Sequence, residues 1–299
     1  MLKAFKFAKP KGPGFGISAH YYLSVLSTKP VMPALWDLIN PQGENGAVVG
    51  FGVPLTAGAT KDVLRQPMGR GGYALASKDR KTVIKLLVLS KDEAGFDPEA
   101  LIRSRLAAVL ESEVISRIRA TWTLGQATFE SHDPDVYPAL RFHLALVKRL
   151  AELTEGAIAD PLSQRYLLPN NLLGPITTDT GVDVLDICSV GTADRPDGMH
   201  AYTLGLQKLA LPELEIVGLA PDVKRLAAEF LLSAAQAVVQ GNLIQSGVKL
   251  GAPTAFFEAR EGGYDVALWE GIKVLELLPP TQITATDALE IWDRERKLS

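Results

Sequence analysis

Apolar positions in the middle of the chain switch between the spacing of strands and that of helices. Residues 82–90, Thr-Val-Ile-Lys-Leu-Leu-Val-Leu-Ser, form a compact run with β-branched side chains, which predicts a buried strand. Asp97-Pro98 supplies an N-cap and a first-turn proline, and apolar residues up to Ile118 follow at helical spacing. A strand at 121–129 and a helix after Asp133-Pro134 complete the pattern. This order is typical of a compact α/β sandwich unit.

A second set of elements follows a segment with two prolines and an asparagine pair at 168–177. The pattern predicts a strand at 182–190, a turn at 192–198, further strands up to residue 217, and a helix that starts at Pro221-Asp222. Phe256–Ala259 and Tyr264–Leu278 are predicted to form a hairpin around a Glu-Gly-Gly turn.

Glycine and proline interrupt the beginning of the chain. Motifs such as Lys9-Pro-Lys-Gly-Pro-Gly-Phe-Gly16 cannot lie inside helices, so we expect an irregular, loop-rich part over residues 1–75 that packs on the rest. The predicted organisation is therefore this N-terminal part, a first sandwich unit over 76–170 and a second over 178–299. The fold class is α+β, with two sheet-plus-helix units that a structural duplication would explain.

Composition places the chain among ordinary globular proteins, with 47% hydrophobic and 22% charged residues. Its single cysteine, Cys188, allows no internal disulfide, and the apolar strand pattern around it indicates a buried core residue. The N-terminus lacks the apolar core of a signal peptide, and the sequence holds no run of about 18 apolar residues. These features predict a soluble cytoplasmic protein that does not associate with a membrane.

Charge is distributed unevenly along the chain, although the net charge is only −3. Residues 1–90 hold 12 Lys/Arg against 4 Asp/Glu, and residues 91–299 hold 19 against 30. A basic N-terminal part could bind a nucleic acid, but its basic residues are scattered, which is also typical of a solvated surface. Nucleic-acid binding is therefore an alternative and not the leading hypothesis.

Motifs for common catalytic and cofactor chemistry are absent from the sequence. No two of the four histidines have the spacing of paired metal ligands, and no Gly-x-Ser-x-Gly nucleophile motif occurs. The glycine-containing segments match neither a P-loop nor a dinucleotide fingerprint. We therefore predict no metal and no cofactor. Two carboxylate pairs, Asp183 with Asp186 and Glu213 with Glu215, remain as candidates for acid–base chemistry or as exposed strand positions.

The most distinctive segment is His200-Ala-Tyr-Thr-Leu-Gly-Leu-Gln-Lys-Leu-Ala-Leu-Pro-Glu-Leu-Glu215. Pro212 cannot donate to a sheet ladder and marks the start, edge or bulge of a strand. The segment predicts that His200, Tyr202, Glu213 and Glu215 converge near a sheet edge, either as a polar binding surface or as a solvated rim.

Over residues 78–278 the chain resembles an uncharacterised bacterial family with the same Gly-Leu and Leu-Pro-Glu-Leu-Glu arrangement followed by a helix. The family has no established activity, and the resemblance implies at most a role in bacterial toxin–immunity or regulatory systems. The leading hypothesis is a non-enzymatic protein that binds another protein through the 200–215 segment and the basic N-terminal part. The alternative is a hydrolase or transferase with dispersed residues, such as His200 with Glu213 or Asp186.

Overall fold

A computed structural model describes residues 21–39, 51–54, 64–77, 81–133, 136–174, 181–265 and 267–298. The described residues divide into two compact units, a first unit that ends at Val182 and a second unit that begins at Asp183. Each unit contains one large sheet with helices, which confirms the predicted α+β fold with two units.

In the described residues, the sheet of the first unit has seven strands. These are β1 (Tyr22–Ser27), β3 (Phe51–Pro54), β5 (Gly71–Ser77), β6 (Thr82–Ser90), β7 (Thr123–Ser131), β8 (Ala157–Asp160) and β9 (Arg165–Leu167). Two shorter strands, β2 (Met32–Ala34) and β4 (Pro67–Met68), pair with each other. The large sheet has the order β3-β5-β6-β7-β1-β8-β9 and is antiparallel throughout.

Four α-helices belong to the described part of the first unit: α1 (Leu35–Ile39), α2 (Pro98–Ile102), α3 (Ser112–Arg119) and α4 (Val136–Leu153). Leu150 of α4 lies against Gly125 of β7. Ile118 of α3 packs in one cluster with Leu26 of β1 and with Leu124, the residue of β7 that Leu26 faces. Because residues 124 and 125 point to opposite sides of their strand, α3 and α4 cover opposite faces of the sheet.

The predicted strand at 82–90 is confirmed as β6, in which alternate residues from Thr82 to Val88 are buried. The predicted continuous helix from Asp97 to Ile118 is wrong. Asp97 does cap α2, but the chain leaves the helical conformation at Ser104 and again at Leu110, with a short 3₁₀-helix between them. Val109 is 86% exposed, so the apolar residues of this segment do not form one buried helical face.

The described residues of the predicted irregular N-terminal part include regular strands. Tyr22–Ser27 lies between β7 and β8, well inside the sheet, and Gly71–Ser77 pairs with β6. These strands therefore belong to the same sheet as the elements after residue 80. The Lys9–Gly16 motif lies outside the described residues.

The sheet of the second unit has six described strands. These are β10 (Ser189–Arg195), β11 (Gly198–Leu204), β12 (Glu213–Leu219), β13 (Lys249–Ala252), β14 (Ala255–Glu261) and β15 (Val274–Leu278). Their order is β10-β11-β12-β15-β14-β13, with antiparallel pairs except for the parallel pair of β12 and β15. Pro212 directly precedes β12, in agreement with its predicted place at a strand start.

Helices α5 (Lys224–Val239) and α6 (Ala285–Leu298) pack on one face of this sheet. The ring of Phe230 on α5 lies 5.0 Å from the ring of Phe257 on β14 and 5.0 Å from that of Trp292 on α6. Phe257, Leu214 and Ala201 are all buried. Since side chains alternate along a strand, the neighbouring residues Tyr202 and Glu215 point to the opposite face, which we call the site face.

The predicted strand at 182–190 and turn at 192–198 are displaced in the structure. Asp183 accepts a hydrogen bond from the backbone N–H of Leu185 at 2.9 Å and starts a 3₁₀-helix instead of a strand. The strand begins at Ser189 and continues to Arg195, and the turn is confined to Pro196-Asp197. The hydrogen bond from the Leu185 N–H to the Asp183 side chain stabilises this helical turn, so residues 183–186 do not adopt the extended conformation of a strand.

In the described residues, each unit contains three successive antiparallel strands followed by a helix, namely β5-β6-β7 and β10-β11-β12. In the first unit, however, α2 and α3 lie between β6 and β7, and the parallel pair belongs to the second sheet. A structural duplication stays a prediction. None of the described helices has the length and apolar character needed to cross a membrane.

Candidate binding site

A row of side chains crosses the site face of the second sheet. The strand registers place Gly191 of β10 opposite Tyr202, Tyr202 opposite Glu215, Glu215 beside Glu276 and Glu276 opposite Arg260. Directly opposed residues share a face of the sheet and lie within contact distance. The row therefore brings an aromatic ring, two carboxylates and a guanidinium group together across five strands.

Glu215 is the centre of this row, and its side chain is completely buried. One carboxylate oxygen, Oε2, lies 2.8 Å from His200 Nε2 and accepts a hydrogen bond from Trp269 Nε1 at 2.6 Å. The other oxygen, Oε1, accepts a hydrogen bond from the backbone N–H of Tyr264 at 2.6 Å. A buried carboxylate requires such partners, because burial without hydrogen bonds costs several kcal/mol, of order 2–7 even for neutral polar groups. Glu215 thus fastens the loop between β14 and β15 onto the sheet.

The ionisation of Glu215 follows from these contacts. Burial raises the pKa of the carboxyl, but the hydrogen bonds with His200, the Tyr264 N–H and Trp269 outweigh it, so the net pKa is lowered. The pKa of Glu276, the neighbour of Glu215 on β15, shifts in the opposite direction. Burial and the charge of Glu215 raise the pKa of Glu276, although Arg260 and His200 counteract them. The two adjacent carboxyl groups therefore differ in their tendency to carry charge.

His200 is buried and packs between aromatic rings. Its ring centroid lies 4.7 Å from that of Tyr202 and 5.6 Å from that of Tyr264. The ring of Tyr202 in turn meets Trp269 edge to face at 5.6 Å. Nε2 is occupied by Glu215, whereas Nδ1 is buried without a hydrogen-bond partner among the described residues. Among the described residues, the imidazole is held by its contacts with these two rings and by a single hydrogen bond.

Gly191 determines where the ring of Tyr202 can lie. A Cβ atom at residue 191 would be 2.5 Å from Cε2 of Tyr202 and 2.8 Å from its Cζ. Such distances are far below van der Waals contact, so only glycine permits the ring to lie over β10. The aromatic side chain consequently reaches the outer strand of the sheet.

Glu213 is also fully buried, but it has a different set of partners. Its oxygens accept hydrogen bonds from the Thr203 hydroxyl at 2.7 Å and from the backbone N–H groups of Gly205 and Gln207 at 2.7 and 3.0 Å. Gly205 has φ +126°, a conformation that favours glycine, at the point where β11 ends. Burial raises the pKa of Glu213 despite these hydrogen bonds. Glu213 therefore stabilises the turn after β11.

Four side chains above Glu215 form what we call the rim: Arg195, Asp197, Tyr264 and Asp265. The Tyr264 hydroxyl donates to Asp197 Oδ1 at 2.7 Å, and the Arg195 guanidinium pairs with Asp265. The bond to Asp197 raises the pKa of Tyr264, while the Leu268 N–H and Arg195 lower that of Asp265. Tyr264 is 40% exposed and Arg195 is partly exposed. The rim ties the β14–β15 loop to the turn between β10 and β11.

The structure brings together three of the four predicted site residues, His200, Tyr202 and Glu215, around one polar cluster. Their strands β11 and β12 lie inside the sheet, and His200 and Glu215 are fully buried, so the predicted position at a sheet edge and the solvated rim are wrong. Glu213 lies on the same strand as Glu215, but its carboxylate accepts hydrogen bonds from the turn after β11. Sequence reasoning missed Trp269, Tyr264 and Glu276. Tyr264–Leu278 was predicted as a continuous strand, whereas β15 starts only at Val274 and residues before it form the loop that carries Tyr264 and Trp269. The two glycines before Tyr264 were the available signal for a loop.

Two other predicted candidates, Asp186 and Cys188, precede β10. His200 pairs with Glu215 and not with Glu213, and Asp186 ends the short 3₁₀-helix before β10. Cys188 is buried beside β10, although it precedes the strand and is not part of it. In the part of the chain that the structure describes, no three or more His, Cys, Asp or Glu residues are grouped as metal ligands would be.

Seven of the twelve basic residues up to position 90 lie outside the described residues. Of the five described ones, Lys29, Arg70 and Lys85 form ion pairs with Glu155, Glu93 and Glu130. Binding of a nucleic acid to the basic part stays a prediction.

Comparisons of the chain with protein-family models, with curated proteins and with solved structures gave no match.

Proposed function

We propose that this chain is a non-enzymatic protein that binds another protein through the rim, Arg195, Asp197, Tyr264 and Asp265. The observation that carries the proposal is that both oxygens of the Glu215 carboxylate are hydrogen-bonded, to His200 and Trp269 on one side and to the Tyr264 N–H on the other. A carboxylate whose oxygens are both hydrogen-bonded and buried positions a loop. It has no contact with solvent through which it could act on a substrate.

The chemistry of the rim supports a protein partner. Tyrosine and arginine are the residue types that contribute most strongly to binding at protein interfaces. Tyr264 and Arg195 are held in place by Asp197 and Asp265, so little side-chain entropy is lost when they are covered. The buried cluster below the rim supplies rigidity, and the rim supplies the accessible contacts.

The resemblance to an uncharacterised bacterial family extends this proposal. A bacterial immunity protein neutralises its partner by binding to it. A cytoplasmic, regulatory protein that acts in this way would use a preorganised surface of this kind. Membership of that family and this cellular role remain proposals.

Affinity capture tests the proposed binding surface. The tagged wild-type chain and the Arg195→Ala/Tyr264→Ala double variant are used to capture proteins from the same native lysate. We expect a protein that co-purifies with the wild type to be lost with the double variant and retained with Arg225→Ala. Arg225 is an exposed arginine on α5 that serves as the matched control. Identical captured proteins for the wild type and the double variant would contradict the proposal.

His200 Nδ1 is buried without a hydrogen-bond partner among the described residues, which favours one second candidate, an acid–base enzyme of the hydrolase or transferase class. A histidine with one nitrogen held by a carboxylate and the other unpaired has the arrangement of a general base. This candidate requires turnover of chromogenic ester or phosphoester substrates that His200→Asn abolishes. Absence of turnover by the wild type, or equal turnover by the variant, would exclude it for those substrates.

A further inference from the structure

The outer edge of β10 differs from every other sheet edge in the described residues. The remaining edge strands have at most four residues: β3, with a glycine and a proline, β9, β13 and the short pair of β2 and β4. β10 has seven residues, contains no proline, and pairs with β11 at every position without a bulge. Proteins blunt exposed edges with short strands, prolines, bulges or charges. β10 has none of these devices before Asp194.

Hydrogen bonding on the two sides of β10 is unequal. One side is satisfied by β11 along the whole strand. On the other side, no described strand lies beside β10, and residues 190–195 make no further backbone hydrogen bond to a described residue. A regular row of backbone donors and acceptors is recognised by another extended strand.

We infer that β10 is a self-association edge, at which two copies of this chain pair their β10 strands antiparallel into one continuous sheet. The inference goes beyond the proposed function, because it requires no other protein. Two-fold pairing satisfies both edges with a single type of contact.

The side chains of β10 select the register. Pairing centred on Ala193 places Thr192 opposite Asp194 of the second copy, so that the hydroxyl can donate to the carboxylate. It also places Arg195 opposite Gly191 of the second copy, over which the ring of Tyr202 lies, so the guanidinium comes within reach of this aromatic side chain.

The neighbouring registers lack this complementarity. A centre at Asp194 would oppose two carboxylates, and a centre at Thr192 would place Asp194 against Val190. The Ala193 register opposes no like charges and forms each favourable pair twice. The small side chains of Gly191 and Ala193 also allow the two strands to approach closely.

Sedimentation equilibrium of the full chain tests this inference. We expect the wild type to form a dimer whose fraction rises between about 1 and about 500 µM, the range expected for a small interface. In the Ala193 register, residue 193 faces its own copy across the two-fold axis. Ala193→Lys and Ala193→Glu should therefore each weaken the dimer at least about tenfold, because like charges are directly opposed.

Mixing the two variants gives the decisive result. An equimolar mixture of Ala193→Lys and Ala193→Glu should regain the dimer, since opposite charges then meet at the axis, and this recovery also shows that both variants are folded. Ala228→Lys, at a half-buried position of α5, should dimerise like the wild type. A wild type that remains monomeric over the whole range would overturn the inference. So would a mixture that remains monomeric while both variants have wild-type circular dichroism, or an equal loss in Ala228→Lys.

Discussion

Glu213 and Glu215 lie two residues apart on β12, both completely buried, and their carboxyl pKa values are displaced in opposite directions. Burial raises the pKa of Glu213 above the ordinary 4.5, although the Thr203 hydroxyl and the backbone N–H groups after β11 hydrogen-bond to it and lower it in part. Burial is outweighed for Glu215, whose donors include the imidazole of His200 and the indole of Trp269. The balance between burial, which raises the pKa of both carboxyl groups, and their hydrogen bonds therefore determines the direction of each shift.

Replacing Glu215 should change the pH dependence of stability at acid pH. A lowered folded-state pKa contributes stability that is present above the unfolded value near 4.5 and is lost as pH falls through the folded pKa. We expect Glu215→Gln to be less stable than the wild type at neutral pH, with a difference that shrinks as pH falls below about 4.5. Urea unfolding between pH 3 and pH 7, about the range over which carboxyl groups titrate, measures this difference.

Replacing Glu213 should have the opposite pH dependence. Its raised pKa means that the unfolded chain ionises first, so the wild type loses stability as pH rises from about 4.5 towards the folded pKa. Relative to the wild type, Glu213→Gln should therefore become more stable as pH rises through this interval. The same urea series provides the measurement, and each glutamine variant is the control for the other. Parallel pH profiles for the two variants would show that the opposite shifts do not exist.

Trp269→Phe removes the indole donor to Glu215 while it keeps an aromatic ring in the core. The loss of a hydrogen bond to a charged group should lower the free energy of unfolding by about 1.5–3 kcal/mol. Trp122→Phe is the matched control, because Trp122 is 60% exposed and its replacement should change stability by less than about 0.5 kcal/mol. Denaturant unfolding followed by far-UV circular dichroism avoids the change in tryptophan fluorescence. Equal stability of the two variants would mean that Trp269 contributes no more than an exposed tryptophan.

Gly191→Ala tests the approach of Tyr202 to β10. The added methyl group would overlap the ring at 2.5 Å, so we expect a loss of about 1–3 kcal/mol. In a Tyr202→Ala background the overlap disappears, and the same Gly191→Ala change should cost much less. The double-mutant cycle, measured by urea unfolding, should therefore give a coupling free energy above about 0.5 kcal/mol. Additive effects would show that the ring does not lie over residue 191.

Periodicity predicted well wherever one face of an element is buried. The alternation in 82–90 corresponds to β6, and the apolar residues after Asp133 correspond to the buried face of α4. Prediction from periodicity was wrong where local hydrogen bonds determine the backbone conformation. Ser104 and Leu110 interrupt the predicted helix, and the Asp183 side chain turns the chain before β10 can begin.

The sequence by itself determined the α+β class and the two sheet-and-helix units. These depend on burial patterns and turn residues that are local in the chain. Only the tertiary structure decided that Glu215 holds Tyr264 and Trp269, 49 and 54 residues further along, and that Glu276 lies beside it. The parallel pairing of β12 with β15 creates these contacts, and no spacing along the chain encodes a hydrogen bond between residues that become neighbours only when the sheet forms.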